Sequence, residues 1–292
     1  ISAAYATTAG RPIWHGSAAA RQRRAELQTA LAQAADHGLA AARYHALANA
    51  VPASDTPPAL FREITLTRAF LAFARDLRTG VLTPGEVDRE IKRDPHEWAP
   101  EAVIRQVMHD GTSAVLADLV PRRASYPRLL RLRAELARIA GQGAWGPEVP
   151  GLRYDIGDSG AGVAALRSRL ARMGYDSGAP AQPSQFGPGL EAAAKAFQAA
   201  HGLAVDGSAG PVTLGEINRT AEDRLGAVLV ALERERWLPR RLGSRHVLVN
   251  ITDFRATLIQ DGAPLFETRA IVGKNRATHR TPEFSDSMDH LS

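Results

Sequence analysis

Cysteine is absent from all 292 residues, which excludes disulfides, thiolate metal ligands and a cysteine nucleophile within this stretch. Aromatic residues are sparse at 6%, and lysine occurs only at Lys92, Lys195 and Lys274, with arginine supplying the other basic charges. No apolar run approaches the ~20 residues of a membrane span, so no transmembrane segment is expected. No basic, apolar leader stands at Ile1, and any export signal is expected either to have been removed or to lie outside this sequence. The net charge is +5 with pI near 9.9, but no patch emerges: residues 149–218, for example, hold five basic against six acidic side chains. A nucleic-acid binder would concentrate lysine and arginine on one face, so no nucleic-acid partner is expected. The nine histidines are scattered without a His-Glu-x-x-His spacing or clustered carboxylates, and neither a metal nor a cofactor is expected.

What is present is an ordinary globular composition, 45% hydrophobic and 23% charged, long enough for two or three compact units. Residues 17–140 read as a run of helices and predict an all-α first region. Ser17 is placed to cap a helix carrying Leu27, Leu31 and Ala34, with His37-Gly38 as its stop. Thr56-Pro57 opens a second, with Leu60, Ile64, Phe70, Leu71, Ala74 and Leu77 on one side and Gly80 at its end. Thr83-Pro84-Gly85-Glu86 has capping-box spacing. Val103, Ile104, Val107, Leu116 and Leu119 mark a helix pair closed by Pro121, and Leu129, Leu132, Leu136 and Ile139 mark one more, closed by Gly141.

Glycine and proline are frequent between Gly141 and Gly162, the strongest candidate linker. Beyond it, Val163, Leu166, Leu170 and Met173, then Leu190, Ala194 and Phe197, repeat at helical spacing. Asp206-Gly207 makes a turn and Gly210-Pro211 opens a third short helix ending near Asn218. An amphipathic helix over 220–237 carries Leu225, Val228, Leu229 and Leu232, after which the period changes to two. His246 to Ile251 reads as a strand, and Ala256 to Gln260 with Pro264 to Val272 flank Asp261-Gly262, a β-hairpin signal.

Taken singly, no residue announces chemistry. Gly157-Asp158-Ser159-Gly160 matches the nucleophile neighbourhood of trypsin-like proteases, but the following residues are helical and the reading is a helix N-cap. Gly160-Ala161-Gly162 lacks the preceding strand that a dinucleotide loop requires. His37 and His201 precede glycines at helix ends, where a cation favours the dipole, and read as capping residues. The run Glu233 to Arg236 before Trp237 reads as a solvated helix face with one anchoring aromatic.

The combination is more specific. Residues 157–170 with Gly174-Tyr175, Phe186-Gly187, Ala196-Phe197-Gln198, His201-Gly202-Leu203 and Val205-Asp206-Gly207 resemble the three-helix peptidoglycan-binding module of bacterial wall enzymes. Arg167 departs from the glutamine often found there, without threatening the fold. Leu232 to Pro239 resembles the helix before the catalytic domain of large periplasmic L,D-transpeptidases. Val247 to Ile251, Ile271-Val272-Gly273-Lys274 and Thr281 to Asp286 resemble that domain's opening strands. His37-Gly38-Leu39, Tyr44-His45, Pro121 and Tyr126-Pro127 resemble the scaffold of the same proteins.

The resemblance implies a mainly α chain with a C-terminal β portion. Its expected parts are a helical scaffold at 1–148, a peptidoglycan-binding-like module at 149–218, a connecting helix at 219–243, and the incomplete beginning of a catalytic domain at 244–292. It implies a periplasmic enzyme acting on peptidoglycan stem peptides and glycan, in which a cysteine thiolate attacks the carbonyl between diaminopimelate and D-alanine. The acyl group then passes to another stem's amine, giving a 3→3 crosslink. In that family the cysteine lies downstream of the Thr-Pro-x-Phe-Ser-Asp segment, so it is expected beyond this chain, in a missing segment of the catalytic domain. No catalytic, substrate-binding, cofactor or metal residue is therefore assigned to a numbered position. A non-catalytic protein that binds or scaffolds the wall is the alternative.

Overall fold

The computed structural model describes residues 2–51, 57–93, 97–178, 182–240, 242–274 and 279–287. Thr56, expected to open the second helix, and His96 lie outside the described residues. The fold is mainly α with a C-terminal β portion. It divides into two compact units, one formed by residues 1–130 together with 229–292 and the other by residues 131–228.

In the first unit, α1 (Ser2–Ala6) precedes α2 (Ala18–Ala32), whose N-terminus is capped by the Ser17 hydroxyl accepting from the Ala20 amide at 3.1 Å. A 3-10 turn (Ala34–His37) stops at Gly38 in the left-handed conformation, and α3 (Ala41–Ala48) follows. The 22-residue α4 (Pro58–Thr79) buries Leu66, Phe70, Phe73, Ala74 and Leu77 at helical spacing, while Leu60, expected on that side, is exposed. Trp14 packs on Phe70 and Tyr44 on Phe73, with ring centroids 5.6 and 5.1 Å apart. The capping-box residues form only the single turn α5 (Pro84–Val87), and the Thr83 side chain makes no capping bond.

Next come α6 (Pro100–Asp110) and α7 (Thr112–Leu119), divided by Gly111. Gly111 offers α7 no capping side chain. Instead Glu26 of α2 accepts from the amides of Thr112 and Ser113 at 2.8 and 3.0 Å, and these bonds hold its carboxyl below the usual carboxylate range. Two buried carboxylates are satisfied in the same manner. Glu63 accepts from Tyr5, from the Ile13 and Trp14 amides and from His15, and Asp76 takes Tyr44, Arg43 and Arg75.

The first region is not wholly α. Strand β1 (Ile91–Lys92) pairs in parallel with β5 (Glu283–Phe284), matching Ile91 to Glu283. Two residues carry no periodicity, and the partner lies about 190 positions away, so no local signal could have announced the pair. Strands β2 (Arg245–Asn250), β3 (Arg255–Gln260) and β4 (Ala263–Arg269) form an antiparallel sheet in that order. Asp261 and Gly262 turn β3 into β4 with φ of 50° and 80°, as a two-residue primed turn requires. Val247, Leu265 and Phe266 of this sheet are 50%, 63% and 61% exposed.

Helices α8 (Ser125–Gly141) and α12 (Ala221–Trp237) each run from one unit into the other. The C-terminal part of α12 corrects the expectation of a solvated face at 233–236. Arg236 is 2% exposed and donates to the His37 carbonyl, to the Tyr126 hydroxyl at 3.1 Å and to Glu233 at 3.1 Å, with its guanidinium 5.7 Å from the Tyr126 ring centre. Glu233 in turn accepts from the Val81 and Leu82 amides at 2.6 and 2.8 Å. A Cβ on Gly80 would overlap that carboxylate, and φ of +85° also favours glycine there. Trp237 is buried beneath Arg234, which reaches Glu283 at 2.5 Å. Alternating charges look solvated in a sequence because their partners lie elsewhere in the chain.

Candidate functional site

The second unit packs α9 (Ala161–Arg172), α10 (Pro188–Ala200) and α11 (Pro211–Asn218) around Val163, Leu166, Leu170, Leu190, Phe197 and Ile217. Short bridges, Tyr154 to Ala209 and Ser159 to Gln185, tie the loops between helices. The Val149 backbone closes the bundle by exchanging bonds with the Asn218 amide at 2.8 and 3.0 Å.

The expected N-cap at Gly157-Asp158-Ser159-Gly160 is corrected in detail. The cap of α9 is Gly160, with φ of 131° and no side-chain bond, while Ser159 is exposed in its bridge and Asp158 accepts from the Asp155 amide at 2.8 Å. Gly162 has a packing role: a Cβ there would overlap the Tyr154 hydroxyl, which donates to the Pro150 carbonyl at 2.5 Å. Arg167, the departure from the module's usual glutamine, holds Ser177, Pro183 and Gln185 together by donating to Ser177 Oγ and to the Pro183 and Gln185 carbonyls at 2.6 to 3.0 Å. Gln198 is buried and organises the Asp206-Gly207 turn, donating to Asp206 at 2.8 Å and accepting from the Gly207 amide at 2.9 Å.

Sequence reasoning missed Arg169. It is 4% exposed and donates to the carbonyls of Gly146, Pro147, Ile217 and Arg219, joining the glycine-rich segment to the end of α11. Burial lowers its pKa from the usual arginine value. Four carbonyls satisfy the guanidinium without a carboxylate, which makes Arg169 a clamp.

A groove of about 740 Å³ opens within this unit, within the range of small-molecule and peptide pockets. Its lining comes from the ends of α9 and α10 and from the parts of α8 and α12 belonging to the same unit. One aromatic cluster lines it: Tyr175 meets Phe197 edge-on at 5.3 Å, and His201 stacks on Phe197 at 3.9 Å. His201 is held by its Nδ1 at 2.8 Å from the Phe197 carbonyl, in keeping with the helix-end role expected for it. His37, in the first unit, instead stacks on Tyr126 with Nδ1 3.2 Å from its hydroxyl. Trp145 lines the groove beneath Arg224, 5.6 Å from guanidinium to ring.

The charges of the groove are unbalanced. Arg138, Arg172, Arg219 and Arg224 line it against a single acid, Glu135. Arg224 and Arg219 pair with Glu216 at 3.0 and 3.5 Å, and Arg138 donates to Gln142 at 2.6 Å. Arg172 has no ion-pair or hydrogen-bond partner among the described residues. The even count over 149–218 hid this asymmetry because Arg138, Arg219 and Arg224 enter the groove from outside that segment. Among the described residues no group of three or more histidines and acids is placed to hold a metal ion, and no helix is long and apolar enough to cross a membrane.

Comparison with known families finds two matches: residues 1–132 to the Scaffold domain, and residues 159–217 to the peptidoglycan binding domain. A curated relative, the zinc D-Ala-D-Ala carboxypeptidase of Streptomyces albus G, is 42% identical over 67 residues. That match covers 23% of this chain and 26% of the relative, so the chain spans about a quarter of that protein's length. These matches indicate a function related to peptidoglycan and the cell wall.

Proposed function

We propose that these 292 residues belong to a periplasmic L,D-transpeptidase that forms 3→3 crosslinks in peptidoglycan. The observation that carries this reading is the order of parts in one polypeptide: a scaffold-family match, then a peptidoglycan-binding match, then α12 followed by Leu238-Pro239, β2-β3-β4 and Thr281-Pro282-Glu283-Phe284-Ser285-Asp286. The roles divide as scaffold over 1–148, wall docking over 149–218, connection over 219–243, and the opening of the catalytic domain from 244. The exposed apolar residues on the three-stranded sheet support packing of further polypeptide against it.

Chemically, the reaction needs a thiolate to attack the carbonyl between diaminopimelate and D-alanine, breaking that amide, releasing D-alanine and leaving a thioester, from which the second stem's amine then displaces the thiolate. Backbone donors would hold the oxyanion of each tetrahedral intermediate. The sequence contains no cysteine, so the nucleophile comes from outside these residues, and serine or histidine here is no substitute. The contribution of this chain is then positioning, by keeping a wall strand near the catalytic domain so that attack becomes effectively intramolecular.

The test is intact-mass spectrometry of the native protein, isolated from the cell envelope and incubated with a carbapenem. A stoichiometric adduct on a cysteine, with 3→3 products from supplied stems, is the expected result. Retention on sacculi with neither adduct nor product would replace this reading by a non-catalytic wall-binding protein. The bare 292-residue chain should give no adduct.

A further inference from the structure

We infer that the groove of the second unit takes the peptide stem of peptidoglycan by its carboxylates, with Arg172 as the principal anion contact, and does not take the glycan. This rests on the wall-binding part of the proposed function and narrows it to one chemical component. It also extends the binding surface beyond the matched domain, since α8 and α12 supply part of the lining.

Three observations converge on a carboxylate-bearing peptide. The groove presents four guanidinium groups and one acid, whereas glycan hydroxyls are uncharged. Arginine binds carboxylate with two parallel bonds, a geometry that neutral hydroxyls do not match. Of the four arginines, Arg138, Arg219 and Arg224 already have partners, while Arg172 has none among the described residues. Gly146, at φ of +81°, leaves room beside it, for a Cβ there would lie 2.5 Å from Arg172 Nη1. The remaining surface suits a short peptide: Leu132 and Ile139 offer aliphatic contacts, and Tyr175 and His201, packed on the buried Phe197, offer ring surface. A sugar-binding groove would array amide and carboxylate side chains to match hydroxyls, and Gln142 is the one side-chain amide in the lining. The volume of about 740 Å³ accommodates a few residues of extended chain.

The experiment is calorimetric titration of the 292-residue chain with three soluble probes, alongside co-sedimentation with intact sacculi. The probes are a free stem tetrapeptide, the same peptide with its carboxylates amidated, and stem-free glycan strands. The tetrapeptide should bind, and amidation or Arg172→Gln should each weaken binding about tenfold or more, in line with loss of a charge-assisted bond. Raising salt should weaken it further. Because Arg172 has no partner among the described residues, Arg172→Gln should unfold at the same temperature as the parent, and Arg131→Gln on exposed α8 surface outside the groove should bind normally. Retention on sacculi with glycan binding as strong as peptide binding, or an unchanged affinity in Arg172→Gln, would overturn the inference and leave wall binding standing. Failure to sediment with sacculi at all would overturn both.

Discussion

Replacing Arg236 by methionine keeps most of the aliphatic volume but removes a guanidinium that is 2% exposed and holds two partners from distant parts of the chain and a third, Glu233, one turn earlier in α12. The bonds lost are those to the His37 carbonyl, the Tyr126 hydroxyl and the Glu233 carboxylate. Breaking a buried pair by removing one partner costs about 3–5 kcal/mol when the other charge is left uncompensated. Glu233 would not be left so, because the Val81 and Leu82 amides still donate to it. We therefore expect the lower end, about 3 kcal/mol, which is roughly 150-fold in the unfolding equilibrium at about 1.4 kcal/mol per factor of ten. The truncation Arg236→Ala should cost about 1–2 kcal/mol more through the cavity it leaves. The control is Arg234→Met, since Arg234 is 42% exposed and its pair with Glu283 should contribute no more than about 1 kcal/mol. Urea unfolding measures the totals, and hydrogen exchange at residues 80–82 reads the local consequence. A loss below about 1 kcal/mol, or equal losses in the Arg236 and Arg234 variants, would show that the charged run is solvated after all.

Two further outcomes test the packing. Glu26 caps α7 from α2, and its folded pKa lies below the unfolded one, so its contribution is full above the unfolded carboxylate pKa of about 4.3 and is lost as pH falls through the lower folded value. Glu26→Gln should therefore lower stability at neutral pH and flatten the acid limb of a stability profile; an unchanged profile would refute the capping role. Gly162→Ala should destabilise the second unit by about 1–3 kcal/mol despite the better helix propensity of alanine, because the Tyr154 ring occupies the space, and a rise in melting temperature would refute this.

Most helical parts were legible where the determinant is local, the Thr83 capping box excepted. Ser17, Pro211, Gly80 and the spacing of Phe70, Ala74 and Leu77 act within a turn or two of themselves, and the structure uses them as the pattern suggests. Asp261-Gly262 was legible for the same reason, since the turn's positive φ is a property of two residues. The illegible features are those that need a distant partner. Arg236 meets His37, 199 positions away, and β1 meets β5 across a similar span. Ser159 failed as a cap because Gly160, one residue later, takes the strained position that starts the helix. The groove was invisible in segment-by-segment charge counts, because its arginines converge from three separate stretches of chain.

Since residues 229–292 belong with residues 1–130, the first unit is made from two pieces of chain separated by a whole second unit. A ribosome must therefore deliver about a hundred residues between Leu130 and Leu229 before Glu233 and Arg236 can reach their partners. At about 5–20 residues per second that is an interval of roughly 5–20 s. Throughout it, the Val81 and Leu82 amides, the His37 carbonyl and the face of Tyr126 await a helix still to be synthesised. The second unit has its own core and can form first, and once formed it fixes the distance between its two ends, Arg131 and Val228. That removes most of the loop-closure entropy that α12 would otherwise have to overcome. The inserted unit thus serves the nascent chain as a clasp, and a variant whose second unit folds slowly should leave the first 130 residues protease-sensitive for longer even though none of them has changed.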